Sequence, residues 1–335
     1  MMITQRDINS NNLSPFDLPV SILRIICESA EPLYFPVHEG AAPETALNAF
    51  FGTALLQIGC DRGYEQAVLC AEKHQQPQDC SGCSLPQIYK PSGFARPIRL
   101  CFDGSFSGQR HFCMEIVMLG QHALQSREII LKALANMASQ GFILERGKRI
   151  SFRILEIREQ FSGTIQQRSQ MENPVPEKIE RVMIEFVTPF VHQETVDGAS
   201  GEKYRPIQAT GNFPLPKALG NMANNLMRWH IEDQGFGGKL SKREIDDIAQ
   251  QARMVAEALA EDVRLEKSVL VPISLGLRAS NRTGYRRPLN GFIGYAVFAG
   301  NFVRLIDWLE ALKVWGGGLE RTLGFGWVRL WKHYH

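Results

Sequence analysis

The chain has 335 residues, of which 44% are hydrophobic and 21% are charged, and its formal net charge is only +2. This composition is typical of folded domains and excludes a disordered or collagen-like chain; the length predicts two domains. No run approaches the roughly 18 consecutive apolar residues of a membrane helix, and the opening MMITQRDINSNNLSPF lacks the apolar core of a secretory signal. We therefore expect a cytoplasmic protein with no membrane partner.

The charge is distributed unevenly along the chain. Between Arg278 and Lys332 the sequence has nine basic and three acidic residues, a net charge of +6, which leaves −4 for the rest of the chain. Basic residues interleaved with aromatic residues can neutralise phosphates and stack bases. A solvated basic surface over a tryptophan-rich core explains the pattern equally well. The tryptophans in this tail are Trp308, Trp315, Trp327 and Trp331.

Apolar periodicity in the first half predicts a strand, a helix, two paired strands, a second helix and a last strand. The second helix has Ser126 as a good N-cap and Gly141 just after its end. Residues 60–92 contain cysteine, proline and glycine and predict an irregular insertion. The order β-α-β-β-α-β indicates a ferredoxin-like domain over residues 1–162. The predicted segments are 18–26, 44–57, 96–102, 111–119, 126–140 and 150–157.

The second half repeats this order after a polar, proline-containing linker at residues 163–178. Residues 179–335 predict a second ferredoxin-like domain with extra helices between its first strand and its hairpin. The whole pattern predicts an α+β fold of two tandem ferredoxin-like (RRM-like, βαββαβ) domains. The segments are strand 179–187, helices 216–230 and 242–260, strands 268–277 and 291–298, a helix from 301, and strand 325–331.

The most specific motif is a glycine-rich loop at residues 316–326, GGGLERTLGFG, between a helix and a strand. Glycine permits positive φ and close backbone approach, and clustered peptide N–H groups bind phosphate. The alternative is a tight helix-to-strand turn that needs glycine only for steric reasons. The segment fits neither GxxxxGK[ST] nor GxGxxG, so no nucleotide cofactor is indicated.

This loop resembles the GhGxxxxxGhG loop of the RAMP superfamily, a group of CRISPR-associated RNA-binding proteins. More narrowly, the chain is similar to the CRISPR repeat-processing endoribonucleases that cut precursor crRNA. The similarity includes the C-terminal block from NRTGYRRPLNGF to WVRL, and also IEFVTPF, NAFFGTAL and ALANMASQGFILERGKRISF. It implies two ferredoxin-like domains, CRISPR repeat RNA as partner and subunits of a CRISPR effector complex as further partners, in antiviral defence. Two other classes remain open: a non-catalytic crRNA-binding subunit of such a complex, and an enzyme acting on small molecules.

The resemblance implies metal-independent cleavage with no cofactor required for catalysis. The ribose 2′-OH attacks the adjacent phosphate and leaves 2′,3′-cyclic phosphate and 5′-OH ends. Many members place a histidine after the first strand, and histidine exchanges protons at neutral pH. We therefore expect His38 to be the catalytic acid or base, assisted by Tyr34; a loop histidine without chemistry is the alternative. The expected RNA-binding residues are Arg278, Arg282, Tyr285, Arg286, Arg287, Gly316, Gly317, Gly318, Arg321, Gly324 and Gly326.

The seven cysteines of a cytoplasmic chain argue against disulfides. Within the insertion, Cys70, Cys80 and Cys83 offer thiolate ligands that suit zinc, with His74 or Cys60 as the fourth ligand. Relatives often carry a cysteine-rich insertion at this point, which adds to that expectation. Three outcomes stay open: a structural zinc ion, an iron–sulfur remnant, and reduced cysteines without metal.

Overall fold

The computed structural model describes residues 14–34, 43–73, 83, 85–89, 96–103, 108–143, 149–191, 193–195, 204–206, 213–236, 238–279, 286–318 and 326–335. In chain order its strands are β1 (Pro19–Ser29), β2 (Ile98–Asp103), β3 (His111–Leu119), β4 (Phe142–Ile143), β5 (Arg149–Ile150), β6 (Phe152–Thr164), β7 (Ile179–Phe190), β8 (Gln193–Thr195), β9 (Tyr204–Pro206), β10 (Val263–Ala279), β11 (Arg286–Gly300) and β12 (Val328–Tyr334). Its helices are α1 (Pro43–Ile58), α2 (Tyr64–Lys73), α3 (Leu85–Tyr89), α4 (Gln121–Gln125), α5 (Arg127–Gln140), α6 (Ile165–Glu172), α7 (Leu215–Asp233), α8 (Lys242–Ala260) and α9 (Ile306–Trp315).

Two four-stranded antiparallel sheets organise the chain, one in each half. Their strand orders are β2-β3-β1-β6 and β10-β11-β7-β12. In both, the first and third strands of the βαββαβ unit are neighbours at the centre. This topology confirms the predicted fold of two tandem ferredoxin-like domains. In the described part of the chain, no helix combines the length and apolar character needed to cross a bilayer.

The first sheet is covered on one side by α1 and α5. Leu23, Ile25 and Cys27 of β1 point to this side and belong to the same buried cluster as Leu47 and Leu134 of the two helices. The backbone of Leu100, on edge strand β2, is paired with the Asn48 amide of α1. Its carbonyl accepts from Asn48 Nδ2 at 2.8 Å, and its N–H donates to Asn48 Oδ1 at 3.3 Å. This contact protects an otherwise unpaired strand edge.

Phenylalanine rings in mutual contact form part of the core of the second sheet. Phe186 and Phe292 lie edge to face with centroids 5.0 Å apart, and Phe213 approaches Phe186 at 4.8 Å. The predicted extra helices α7 and α8 are present between β7 and the β10–β11 hairpin. One apolar cluster includes this core together with Val20 and Val117 of the first sheet, so the two domains share buried surface.

The prediction that residues 60–92 form an irregular insertion is wrong for two stretches, which form the helices α2 and α3. In α2, Ala67, Cys70 and Ala71 are all buried. These positions are three and four residues apart, so they form one apolar helix stripe. The cysteine and glycine content concealed this short pattern.

The predicted linker at residues 163–178 does connect the two sheets, but most of it is folded. The side chain of Thr164 accepts from the Gln167 N–H, and the Gln167 side chain accepts from the Thr164 N–H, so the two residues form a capping box that begins α6. Ser169 of this helix donates to Asp307, and Asn173 just after it donates to Glu310 at 3.3 Å. The segment is therefore held against the second domain by side-chain contacts that lie more than a hundred residues away in the sequence.

Candidate functional site

The first sheet leaves one face free of its own helices. Side chains that alternate along β1 point to this face, together with their cross-strand neighbours on β3. At about 3.3 Å per residue the face is about 20 Å long. One end meets the second domain and the other end lies near the turn before β3. The pairs along it are Ile22–Val117, Arg24–Glu115, Ile26–Cys113 and Glu28–His111.

A cleft lies where this face meets the second domain. Its volume is about 210 Å³, and its lining includes Glu115, Arg168, Lys313, Arg329 and Trp331. Burial raises the pKa of Glu115, and the nearby Arg168 opposes that rise. Cations of the second domain and of α6 thus face a carboxylate on the first sheet.

The described glycines of the loop form a tight turn beside this cleft. Gly316, Gly318 and Gly326 have φ of +76°, +73° and +74°, a region that strongly favours glycine. A side chain at Gly316 would overlap the guanidinium of Arg99, which lies 4.6 Å from the ring centroid of Trp327. A side chain at Gly326 would overlap the carbonyl oxygen of Gly317. The positive φ values and, at Gly326, the overlap with backbone therefore account for glycine at these positions without a bound phosphate.

Most backbone donors of these glycines are used within the protein. The Gly316 N–H donates to Leu312 at 2.8 Å, and the N–H groups of Gly317 and Gly326 donate to Gly326 and Pro189, each at 3.0 Å. These three groups cannot at the same time bind a phosphate. The steric reading is favoured for this part of the loop. Gly324 and Arg321 lie outside the described residues.

A second polar cluster lies at the far end of the open face. Glu28 is its centre: Arg153 Nε donates to Glu28 Oε2 at 2.7 Å, while Arg110 and His111 approach Oε1 at 3.6 and 3.5 Å. The hydrogen bond from Arg153 lowers the pKa of Glu28, so the carboxyl group is ionised at neutral pH. Two guanidinium groups and an imidazole around one carboxylate leave excess positive charge. A cavity of about 400 Å³ beside Glu28 gives an anion room to enter.

The predicted catalytic segment begins beside this cluster. The carbonyl of Leu33 accepts from the Gly108 N–H at 2.8 Å, and the Leu33 N–H donates to Gln109 at 3.0 Å. Tyr34 follows directly, with its ring over Gly108 and 62% of its surface exposed. Tyr34 thus lies at the cluster's end of the sheet, far from the glycine turn. His38 lies outside the described residues.

The predicted basic loop lies partly within the β10–β11 hairpin. Arg278 pairs with Arg287, and Arg286 pairs with Ala279, in the strand register. Both strands are longer than predicted, because their pairing continues toward the turn and also at the opposite end of the hairpin. Arg282 and Tyr285 lie outside the described residues.

Two of the four expected metal ligands can be located. Cys70 is buried in α2, with its sulfur 3.2 Å from Gln66 Nε2, and Cys83 is partly buried against the first core. His74 and Cys80 lie outside the described residues. Within the described ranges, no three His, Cys, Asp or Glu side chains are grouped as a metal site. The zinc ion stays a prediction.

Sequence reasoning missed Arg110, His111 and Arg153. The dipeptide Arg110–His111 follows a glycine and serine turn, which was a weak signal. Its significance depends on the pairing of β3 and β6 with β1, which brings Glu28 beside both strands. Neither register could be read from the sequence alone.

The sequence matches no protein-family model and no curated protein, but the fold is similar to solved structures. A Cas6 product complex has 14% sequence identity and a TM-score of 0.50, and the similarity covers 93% of this chain and 99% of that chain. Thermus thermophilus Cas6 has 12% identity and a TM-score of 0.48, covering 94% and 99%. A Cas6-related protein from Pyrococcus furiosus has 12% identity and a TM-score of 0.47, covering 93% and 98%. At 14% identity, the similarity to the first of these shows a shared fold.

Proposed function

We propose that the protein is an endoribonuclease that cuts CRISPR repeat RNA without a metal ion. The observation that supports this most directly is the cluster around Glu28, where Arg110 and Arg153 supply excess positive charge and the imidazole of His111 lies 3.5 Å from the carboxylate. It lies next to Tyr34, in the segment that the family resemblance implicates. The substrate RNA would run along the open face from the cleft to this cluster. Repeat RNA and subunits of a CRISPR effector complex are the partners that this function implies.

The cut requires two proton transfers and stabilisation of charge on phosphorus. The 2′-oxygen attacks phosphorus while a base removes its proton, and the P–O5′ bond breaks while an acid protonates the leaving oxygen. We assign Arg110 and Arg153 to the non-bridging oxygens. His38 and His111 would transfer the protons with the help of Tyr34, and Glu28 would orient His111.

A cleavage assay tests this proposal. Labelled repeat RNA is incubated with the protein in EDTA, and the ends of the products are analysed. We expect 2′,3′-cyclic phosphate and 5′-OH ends. His38→Ala and His111→Ala should each reduce the rate by about 10²–10⁴-fold, the usual contribution of an acid or base. His335→Ala is the matched control, because this side chain is 87% exposed at the end of the chain and contacts Glu180.

Four results would contradict parts of the proposal. A requirement for metal, or 5′-phosphate products, would refute the chemistry. Binding of repeat RNA without any cleavage by the wild type would favour the non-catalytic crRNA-binding subunit. Full activity of His111→Ala would reject only the role of that residue.

A further inference from the structure

The tryptophans of the basic tail divide into two groups. Trp308, Trp315 and Trp327 are 5%, 2% and 6% exposed, and Trp229 outside the tail is fully buried. Trp331 is 55% exposed. Three tail tryptophans therefore belong to the core, and Trp331 presents its ring to solvent.

A hydrogen bond orients this exposed indole. Trp331 Nε1 donates to Glu185 Oε2 at 2.8 Å. Glu185 lies on β7, where its own cross-strand partner on β12 is Arg329, two residues from Trp331. The polar edge of the indole is thus satisfied by the protein, while its apolar face remains available. A ring held in place loses little conformational freedom on binding, which favours affinity.

The surroundings of Trp331 are aromatic and charged. Trp331 and Arg329 both line the cleft between the domains, where the guanidinium of Arg168 lies with the carboxylates of Asp103 and Glu115. Farther along the same sheet face, Lys267 Nζ lies 5.6 Å from the ring centroid of Tyr295. An aromatic ring beside positive charges is the arrangement that binds single-stranded nucleic acid, since a base stacks on the ring and the phosphates meet the cations.

We propose that Trp331 stacks an unpaired base of a single-stranded RNA at the mouth of the cleft, with Arg329 beside the neighbouring phosphate. The inference rests on the proposed function in taking RNA as the ligand. It selects one of the four tail tryptophans as a binding site, at the cleft rather than at the cluster around Glu28. A duplex cannot use this site without unstacking a base, so the substrate must be unpaired where it crosses β12.

Binding is measured with a ten-nucleotide uridine RNA that carries 2′-O-methyl riboses. Because this RNA lacks the attacking hydroxyl, it reports binding without cleavage. Stacking on the one described exposed indole should quench part of the intrinsic fluorescence of the wild type. Trp331→Ala should abolish that quenching. It should also raise the dissociation constant by about 5- to 100-fold, the usual effect of removing a stacking aromatic residue. Trp331→Phe should retain most of the affinity.

Tyr334→Ala provides the matched control. Tyr334 is an exposed aromatic residue on the same strand and pairs with Ile179 at the end of β7, outside the cleft lining. Its replacement should leave affinity unchanged. A single-stranded DNA of the same length shows whether the site selects RNA, and a blunt RNA duplex should cause little quenching.

The proposal is overturned if Trp331→Ala binds the uridine RNA as tightly as the wild type, or if the wild type shows no quenching. A folded Trp331→Phe variant with the affinity of Trp331→Ala would also contradict stacking on an aromatic ring. These outcomes are independent of the cleavage assay. Quenching without cleavage of natural repeat RNA refutes the nuclease proposal and leaves the stacking site. Cleavage without quenching refutes the stacking site and leaves the nuclease proposal.

Discussion

Replacing Gly326 with alanine should lower the free energy of unfolding by about 3 kcal/mol. The residue has a φ of +74°, which costs an alanine about 1 kcal/mol. The new methyl group would overlap the carbonyl oxygen of Gly317. Relief of that overlap separates Gly317 from Gly326 and disrupts two backbone hydrogen bonds, each of 3.0 Å, in which Gly326 takes part. Each contributes about 1 kcal/mol.

Gly235 supplies the matched control for this measurement. Its φ of +70° is nearly the same, but within the described part of the chain no heavy atom, apart from its two sequence neighbours, lies within 4 Å of the position that a Cβ would take. Gly235→Ala should therefore cost only about 1 kcal/mol. Urea unfolding of both variants, followed by circular dichroism, gives the two free energies. If Gly326→Ala costs no more than Gly235→Ala, the close packing of the turn is refuted.

Three further predictions concern contacts and thiols elsewhere in the chain. Asp233→Ala should cost about 1 kcal/mol in urea unfolding, because its carboxylate accepts from the Gln121 and His122 N–H groups at 2.8 and 3.2 Å and caps α4 across the two domains; an unchanged midpoint would contradict this. Burial raises the pKa of Cys27 to about 12, so iodoacetamide at pH 8 should label the half-buried Cys60 and leave Cys27 unlabelled until urea is added, as mass spectrometry can check. If the insertion binds zinc, elemental analysis should find one ion per chain and Cys83→Ser should remove it; a metal-free wild type would favour reduced cysteines.

The fold was predictable because both halves repeat one pattern of strand and helix periods. Only the turn chemistry and the apolar stripes were needed to order those elements. The errors fell where a helix is short or polar. α6 was missed because its sequence, IQQRSQME, reads as a solvated segment, and its burial comes from contacts such as that between Ser169 and Asp307. Tertiary contacts of this kind leave no local signal.

The candidate site was less predictable than the fold. The glycine loop was identified from its motif, but its role in binding RNA stays a prediction, because the contacts of Gly316 and Gly326 favour the steric alternative. The cluster around Glu28 combines residues from three strands, so it exists only once two registers are set. The sequence also could not predict that Trp331 is exposed while Trp327, four residues earlier, is buried. That difference depends on where the glycine turn ends and β12 begins.

The net charge of the tail overstates the positive charge that it leaves free for a ligand. Lys332 Nζ lies 2.6 Å from Glu310 Oε1, and Lys313 lies 3.8 Å from Glu310 Oε2 and 3.7 Å from Glu172. Glu310 is fully buried, and a buried carboxylate without its partner costs about 3–5 kcal/mol. These two lysines are therefore committed to holding α9, α6 and β12 together. In the cleft, Arg329 is the tail cation that stays available for the proposed contact with a phosphate.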